Sequence, residues 1–250
     1  MSGKPSAATE RALARVRSGS PARAAARAEG LSASTVFRAL AKTRGGSGPR
    51  IVIAGCGALG RELRGWVIRA RPGVDVVFLD DAYLPEDESS EARGIVGKLD
   101  ASSLREGETA LLAINDPPAR ERAAERFAPQ RVTRYVDPTA TIGDAALSEG
   151  CILLPFTLLS DRCRIGRHAI VNTYSSIGHD AVVGDFCTLS SYVCLTGRVK
   201  VGRRVFFGTG AKVAPDVEIG DDAHIGAGAM VLKNVAAGAR VFGNPARQVA

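Results

Sequence analysis

The sequence predicts two parts in series, a small open α/β domain on a parallel sheet and then a triangular parallel β-coil, behind a short basic helical extension. Three observations carry this: a strand–turn–helix with a glycine-rich turn near residue 55, a six-residue period from Ile165 onward, and a basic excess confined to the first 50 residues. The length of 250 residues allows about two domains. With 45% hydrophobic and 24% charged residues, a chain disordered throughout is excluded. Nowhere do about 18 apolar residues run together, so neither a membrane span nor a secretory leader is readable, no membrane partner is expected, and a cytoplasmic location is the default. The five cysteines (Cys56, Cys151, Cys163, Cys187, Cys194) form no CxxC pair or zinc-finger spacing and read as reduced core residues, with no metal expected.

Residues 1–48 form the extension. Ten of the first 50 residues are basic, against only Glu10 and Glu29, so the remaining 200 are nearly neutral and the bulk charge of +7 says nothing about the partner of the main body. The segment reads as helix, tight turn, helix: Ser20 caps with Pro21 at the first helical position, Gly30 breaks, and Ser32 caps again. Ala26, Gly30 and Val36 fall at helix-turn-helix spacing, and the stretch resembles resolvase-type DNA-binding segments, which puts Ser34, Thr35 and Arg38 on the recognition helix and makes DNA a candidate partner. An organellar transit peptide, a decorating tail or compositional drift fits the same Ala/Arg-rich segment. GGSGP (residues 45–49) is a flexible linker by composition.

The α/β domain spans 49–131. IVIAG (51–55) is a buried-type strand, followed by a glycine turn and a helix from about Leu59 with Leu63, Trp66 and Val67 at helical spacing. Two more strands are expected at 74–81 and 109–116, and a helix over 117–127 opening on Pro117. GCGALG (55–60) satisfies GxGxxG between strand and helix, and Asp80 follows about 20 residues later, the dinucleotide-binding arrangement. About 80 residues are too few for both mononucleotide halves, so NAD is not expected. Glycines that merely make a tight strand-to-helix turn are the plain alternative.

The repeat governs 132–250. Ile165, Val171, Ile177, Val183, Leu189, Leu195, Val201, Phe207, Val213, Ile219, Ile225 and Val231 stand six apart, often with Gly next and a small residue four on. The phase reaches back through Leu159, Leu153 and Leu147, while Val136 and Ile142 are one residue off, read as an extra residue near Ser148. Such a hexad puts one aliphatic inside at each side of a three-sided coil, three hexads per turn.

Of the three histidines, His179 lies two residues after the inward Ile177 and should project outward beside Asp180. An imidazole there suits a general base, with the carboxylate orienting it; a solvated surface histidine is the bland alternative. His168 and His224 also point outward by phase and read as surface residues.

The glycine loop, the LDD after the second strand, NTYSSIGHDAVVGD (172–185), LTGRVKVG (195–202) and the closing GNPAR (243–247) together resemble the NeuD/PglD-like sugar acetyltransferase family over residues 51–248. The resemblance implies a left-handed coil, a homotrimer with active sites between subunits, acetyl-CoA as donor, and direct transfer to the amine or hydroxyl of a sugar or nucleotide sugar in bacterial surface-glycan assembly. It implies His179 as base, Asp180 as its partner, and the Gly197 N–H facing the thioester oxygen. It lays CoA past Thr209 and Ala227 to Gly243 and Pro245. Thr188 stands where the family has a second, cofactor-contacting histidine, so that contact is changed here. The acceptor falls to Gly55, Gly57, Ala58, Leu59, Asp80, Asp81 and Asn115, although Leu59 and Asn115 depart from the family's usual histidine and glycine. Two rivals stay open: a DNA-binding regulator using the coil as a trimerising or ligand-sensing body, and an inactive scaffold.

Overall fold

The computed structural model describes residues 6–17, 22–31, 35, 50–84, 90 and 93–249. The extension contains α1 (Ala7–Arg17), which the sequence reading did not anticipate, and α2 (Ala22–Ala28). Arg11 and Arg15 converge on Glu29 at 2.7 and 3.0 Å. Gly30, at φ +66°, ends the second helix as expected, with the Leu31 N–H donating to the Ala26 carbonyl. Of the expected recognition residues, Thr35 is helical, whereas Ser34 and Arg38 lie outside the described residues.

The α/β domain comprises β1 (Arg50–Ala54), α3 (Ala58–Ala70), β2 (Asp75–Leu79), β3 (Ile95–Gly97), β4 (Ala110–Leu112) and α4 (Pro117–Ala124). The sheet is parallel throughout, in the order β3-β2-β1-β4. β3 is an edge strand of three residues, too short to leave a periodic signal. The spacing of Leu59, Leu63 and Val67 buries one stripe of α3 against the sheet. α4 starts where Asp116 accepts the Ala119 N–H (2.9 Å), with Pro117 at the first helical position.

From Tyr135 to Val231 the chain is a coil of two-residue parallel strands on three faces. Ile165 pairs with Val183, Val201 and Ile219 up the first face, Val171 with Leu189, Phe207 and Ile225 up the second, and Ile177 with Leu195, Val213 and Val231 up the third. One turn is therefore 18 residues, three hexads, with the aliphatic columns buried down the axis. The corners turn through left-handed residues every sixth position, among them His168, Tyr174, Asp180 and Phe186. The expected extra residue near Ser148 is instead a deletion: Ile142 and Leu147 are five apart, and the tighter corner is closed by the Ala145 N–H on the Gly143 carbonyl (2.8 Å). An antiparallel hairpin of Arg240–Phe242 and Arg247–Val249 closes the coil. All five cysteines are free, and Cys151, Cys163 and Cys187 belong to the coil core.

The second face carries the α/β domain. Ile152, Leu154 and Ile170 point outward from it into the core formed by Ile53, Leu63, Val76 and Leu111, so coil and sheet share one apolar layer. The carboxyl end of β4 meets the middle of this face, where the Asn115 carbonyl accepts from the Thr188 hydroxyl. No helix is long and apolar enough to cross a membrane among the described residues.

Candidate active site

His179 sits in the corner between the third and first faces, its side chain 53% exposed. Its Nδ1 is 2.7 Å from Asp180 Oδ2. Asp180 also receives Nε and Nη2 of Arg162, one turn below, at 2.7 and 3.0 Å. Arg162 first, and His179 second, hold the Asp180 carboxyl well below the usual carboxylate range, so it is ionised at every physiological pH. A carboxylate accepting from Nδ1–H leaves Nε2 with its lone pair free, the form a proton acceptor needs. One turn above, Gly197 lies directly against this nitrogen: a Cβ at residue 197 would be 2.5 Å from Nε2 and 2.7 Å from Cε1. The coil thus brings the base nitrogen and the Gly197 backbone together, and only glycine leaves the ring its place.

The expected cofactor residues run along a different corner. Thr209 and Ala227 are exposed and stacked one turn apart between the second and third faces, and the Met230–Gly243 and Ala246–Met230 backbone bonds dock the loop holding Gly243 and Pro245 at the same edge. Within one chain, then, this line and His179 flank opposite edges of the third face. Below Thr209 the same corner carries a ladder the sequence reading missed: Phe156, Tyr174 and Tyr192, stacked at 4.9 and 5.1 Å and half exposed. Its signal was an aromatic every 18 residues.

The family of bacterial transferase hexapeptides (six repeats) matches residues 198–233. Among solved structures, a histidine-to-asparagine variant of perosamine N-acetyltransferase from Caulobacter crescentus, in complex with CoA and GDP-perosamine, is 26% identical over 81% of this chain and 97% of that one, with a TM-score of 0.70. WeeI from Acinetobacter baumannii AYE is 27% identical over 80% of this chain and 99% of its own, at 0.69. The acetyltransferase domain of PglB from Neisseria gonorrhoeae FA1090, in complex with acetyl coenzyme A, superposes at 0.71 over 80% and 98% of the two chains with 24% identity, a likeness of fold. None of the curated proteins matches this sequence. The matched residues lie within the hexad coil that runs from Tyr135 to Val231. The chain's architecture is that of the left-handed β-helix sugar acetyltransferases, as the sequence resemblance implied.

The residues expected on the acceptor side divide. Gly55 takes φ +105° and has the Ala113 carbonyl 3.0 Å from where a Cβ would stand, and at Gly60 a Cβ would strike the Gly55 carbonyl. These two glycines are conformational and steric necessities. Gly57 is different: nothing lies within 4 Å of its added Cβ, so the exposed Gly57–Ala58 edge leaves backbone open to an approaching ligand. Asp80 uses both carboxylate oxygens on its own chain, accepting the N–H of Cys56 (2.7 Å) and of Ala82 (3.0 Å), and Asp81 is held bidentately by Arg126. Asn115 is exposed at the end of β4.

Four expectations are corrected. Leu59 does not face the ligand side of its loop; it is buried in the α/β core. Thr188 is no cofactor contact, because it is 1% exposed and its hydroxyl donates to the Asn115 carbonyl (2.7 Å) and accepts from Arg120 (3.0 Å). His168 is not a surface residue: its ring stacks on Phe186 at 4.9 Å, its Nδ1 is buried without a hydrogen bond, and burial first, then Arg120 and Arg167, lower its pKa to about 4. His224 is half-buried between Phe206 and Phe242, and burial lowers its pKa as well. Phase alone says which way a side chain leaves the coil, not what later covers it. No group of three or more His, Cys, Asp and Glu is arranged to hold a metal ion among the described residues.

Proposed function

We propose that this protein transfers the acetyl group of acetyl-CoA directly to the amine of a nucleotide-linked sugar, with His179 as general base. The observation that carries the reading is the Asp180–His179–Gly197 sequence of contacts, in which an oriented imidazole nitrogen lies against a backbone glycine. As the amine attacks the thioester carbonyl, Nε2 takes the amine proton and Asp180 balances the imidazolium charge. The Gly197 N–H, preorganised in its corner, meets the developing oxyanion; collapse expels the CoA thiolate, which receives the proton from His179. A relative of the same fold bound to CoA and GDP-perosamine supports a nucleotide-sugar acceptor and an amine nucleophile. The acceptor is held at the carboxyl edge of the sheet by the open Gly57–Ala58 backbone and by Asn115.

Two features support a homotrimer. His179 and the Thr209–Ala227–Gly243 line occupy different corners of one chain, so a donor touching both bridges two copies, and the exposed Phe156–Tyr174–Tyr192 ladder is an apolar edge for a second copy to cover. The reaction belongs in the cytoplasm, where acetyl-CoA and nucleotide sugars meet.

Mass spectrometry of GDP- and UDP-linked amino sugars incubated with acetyl-CoA tests the reading. One acetyl gained by the wild-type reaction and lost with His179→Ala is expected; no gain on any acceptor, or a gain untouched by the substitution, overturns it.

A further inference from the structure

Arg120 is the largest fully buried side chain of the described residues, at 0% exposure, and it touches no carboxylate. A buried cation without a counter-ion is expensive and survives only where its hydrogen bonds are all met. Here they are met by oxygens from two domains. On the coil side, Nε donates to the His168 carbonyl (2.8 Å), and Nη2 to the carbonyls of Phe186 (2.7 Å) and Cys187 (3.0 Å) and to Thr188 Oγ1 (3.0 Å). On the sheet side, Nη1 donates to the carbonyls of Ile114 and Asn115. The Thr188 hydroxyl closes the ring by donating to the same Asn115 carbonyl at 2.7 Å.

This bolt sits where the proposed acceptor edge is built. Ala113 and Ile114 wall in Gly55, with their atoms 3.0 and 3.1 Å from its would-be Cβ, so the end of β4 sets the start of the glycine loop. Thr188 lies nine residues beyond His179, half a turn up the same coil. A planar guanidinium with five fixed N–H directions can refer one backbone segment to another in a way a lysine point charge cannot.

We propose that Arg120 and Thr188 are positioning residues that fix the end of β4, residues 113–115, and through its contact with Gly55 the acceptor-binding glycine loop, at a set height on the coil relative to His179. The role in turnover rests on the acetyltransferase reading; the mechanical coupling does not.

The test uses the full chain with Thr188→Val, Thr188→Ser and Arg120→Lys. Amide hydrogen exchange is followed over residues 55–60 and 113–119, and kinetics use acetyl-CoA with GDP-perosamine or whichever amino-sugar nucleotide the wild type acetylates. Thr188→Val and Arg120→Lys should speed exchange roughly tenfold in those two segments while the hexads from 189 to 231 stay protected. The acceptor KM should rise roughly tenfold, with kcat and the acetyl-CoA KM within about twofold, and Thr188→Ser should restore both readouts. Unchanged exchange in folded Thr188→Val and Arg120→Lys proteins, or acceleration spread evenly through the coil, overturns the coupling. Local exchange with a fall in kcat at constant acceptor KM overturns the positioning of the acceptor. If the wild type acetylates no acceptor, the acetyltransferase reading and the turnover role fall together, while exchange still decides the mechanical coupling.

Discussion

The imidazole of His179 fills the space that a side chain at residue 197 would need, since a Cβ there would stand 2.5 Å from Nε2. Gly197→Ala should therefore displace the ring or tilt the corner while leaving the buried columns intact. The expected result is a fall in kcat/KM of roughly 100-fold or more, about the size seen when a catalytic geometry shifts by an ångström or an oxyanion donor is lost. The melting temperature should stay within a few degrees. Activity within threefold of wild type would show that the contact has no part in turnover.

Asp180 and Arg162 act on His179 in series. Asp180→Asn keeps an acceptor for Nδ1–H but removes the charge that balances the imidazolium, so kcat/KM should fall about 10- to 100-fold. Arg162→Met removes the two hydrogen bonds that hold Asp180 from the turn below and should lower kcat/KM by a smaller factor, roughly threefold to tenfold. A larger loss from Arg162→Met than from Asp180→Asn would contradict this arrangement.

His168 makes stability depend on pH. Its pKa of about 4 in the folded protein lies below the ordinary 6.5, so between these values the unfolded chain binds the proton more readily and stability is lost as pH falls. Discounted for its partial exposure, the group contributes about 1–2 kcal/mol at neutral pH that should disappear by pH 4. Urea melts of wild type and His168→Leu at pH 7.5 and 4.5 measure it: the gap between the two pH values should narrow in the variant.

The glycines of the loop should separate by experiment. Gly60→Ala drives a Cβ into the Gly55 carbonyl and should destabilise the α/β domain by about 3 kcal/mol, within the range for forced backbone displacement. Gly57→Ala meets open space and should leave stability alone while raising the acceptor KM. A Gly57→Ala protein with unaltered acceptor KM would reduce the loop to a turn.

The coil was legible because a period of six repeated from Ile165 to Val231 is a long-range signal that no single substitution erases; even Phe207 keeps its place in the column. His179 and Asp180 were legible because neighbours in sequence remain neighbours at a corner. What the period could not supply was partnership between segments far apart in the chain. His168 and Thr188 lie on outward positions, yet α4 covers them, and nothing local in the sequence says that an arginine 48 to 68 residues upstream will take their oxygens. Leu59 was misplaced for the related reason that a loop matched by motif is still one side of a helix stripe. The five-residue interval from Ile142 to Leu147 was read with the wrong sign because one slipped hexad near the end of a repeat has too few neighbours to fix its phase.

From Ala146 to Val231 the coil recurs at 18 residues, so strands of successive turns rise by about one inter-strand spacing, roughly 4.8 Å. The gap between the rung of His179 and the rungs of Thr209 and Ala227 is consequently quantised. An insertion of one full turn between residues 185 and 205 would lengthen the molecule without disturbing a single inward column, yet would move the two corners apart by one whole step. In this architecture the reach of the donor is a ruler with fixed graduations, and lineages can change its length only by whole marks.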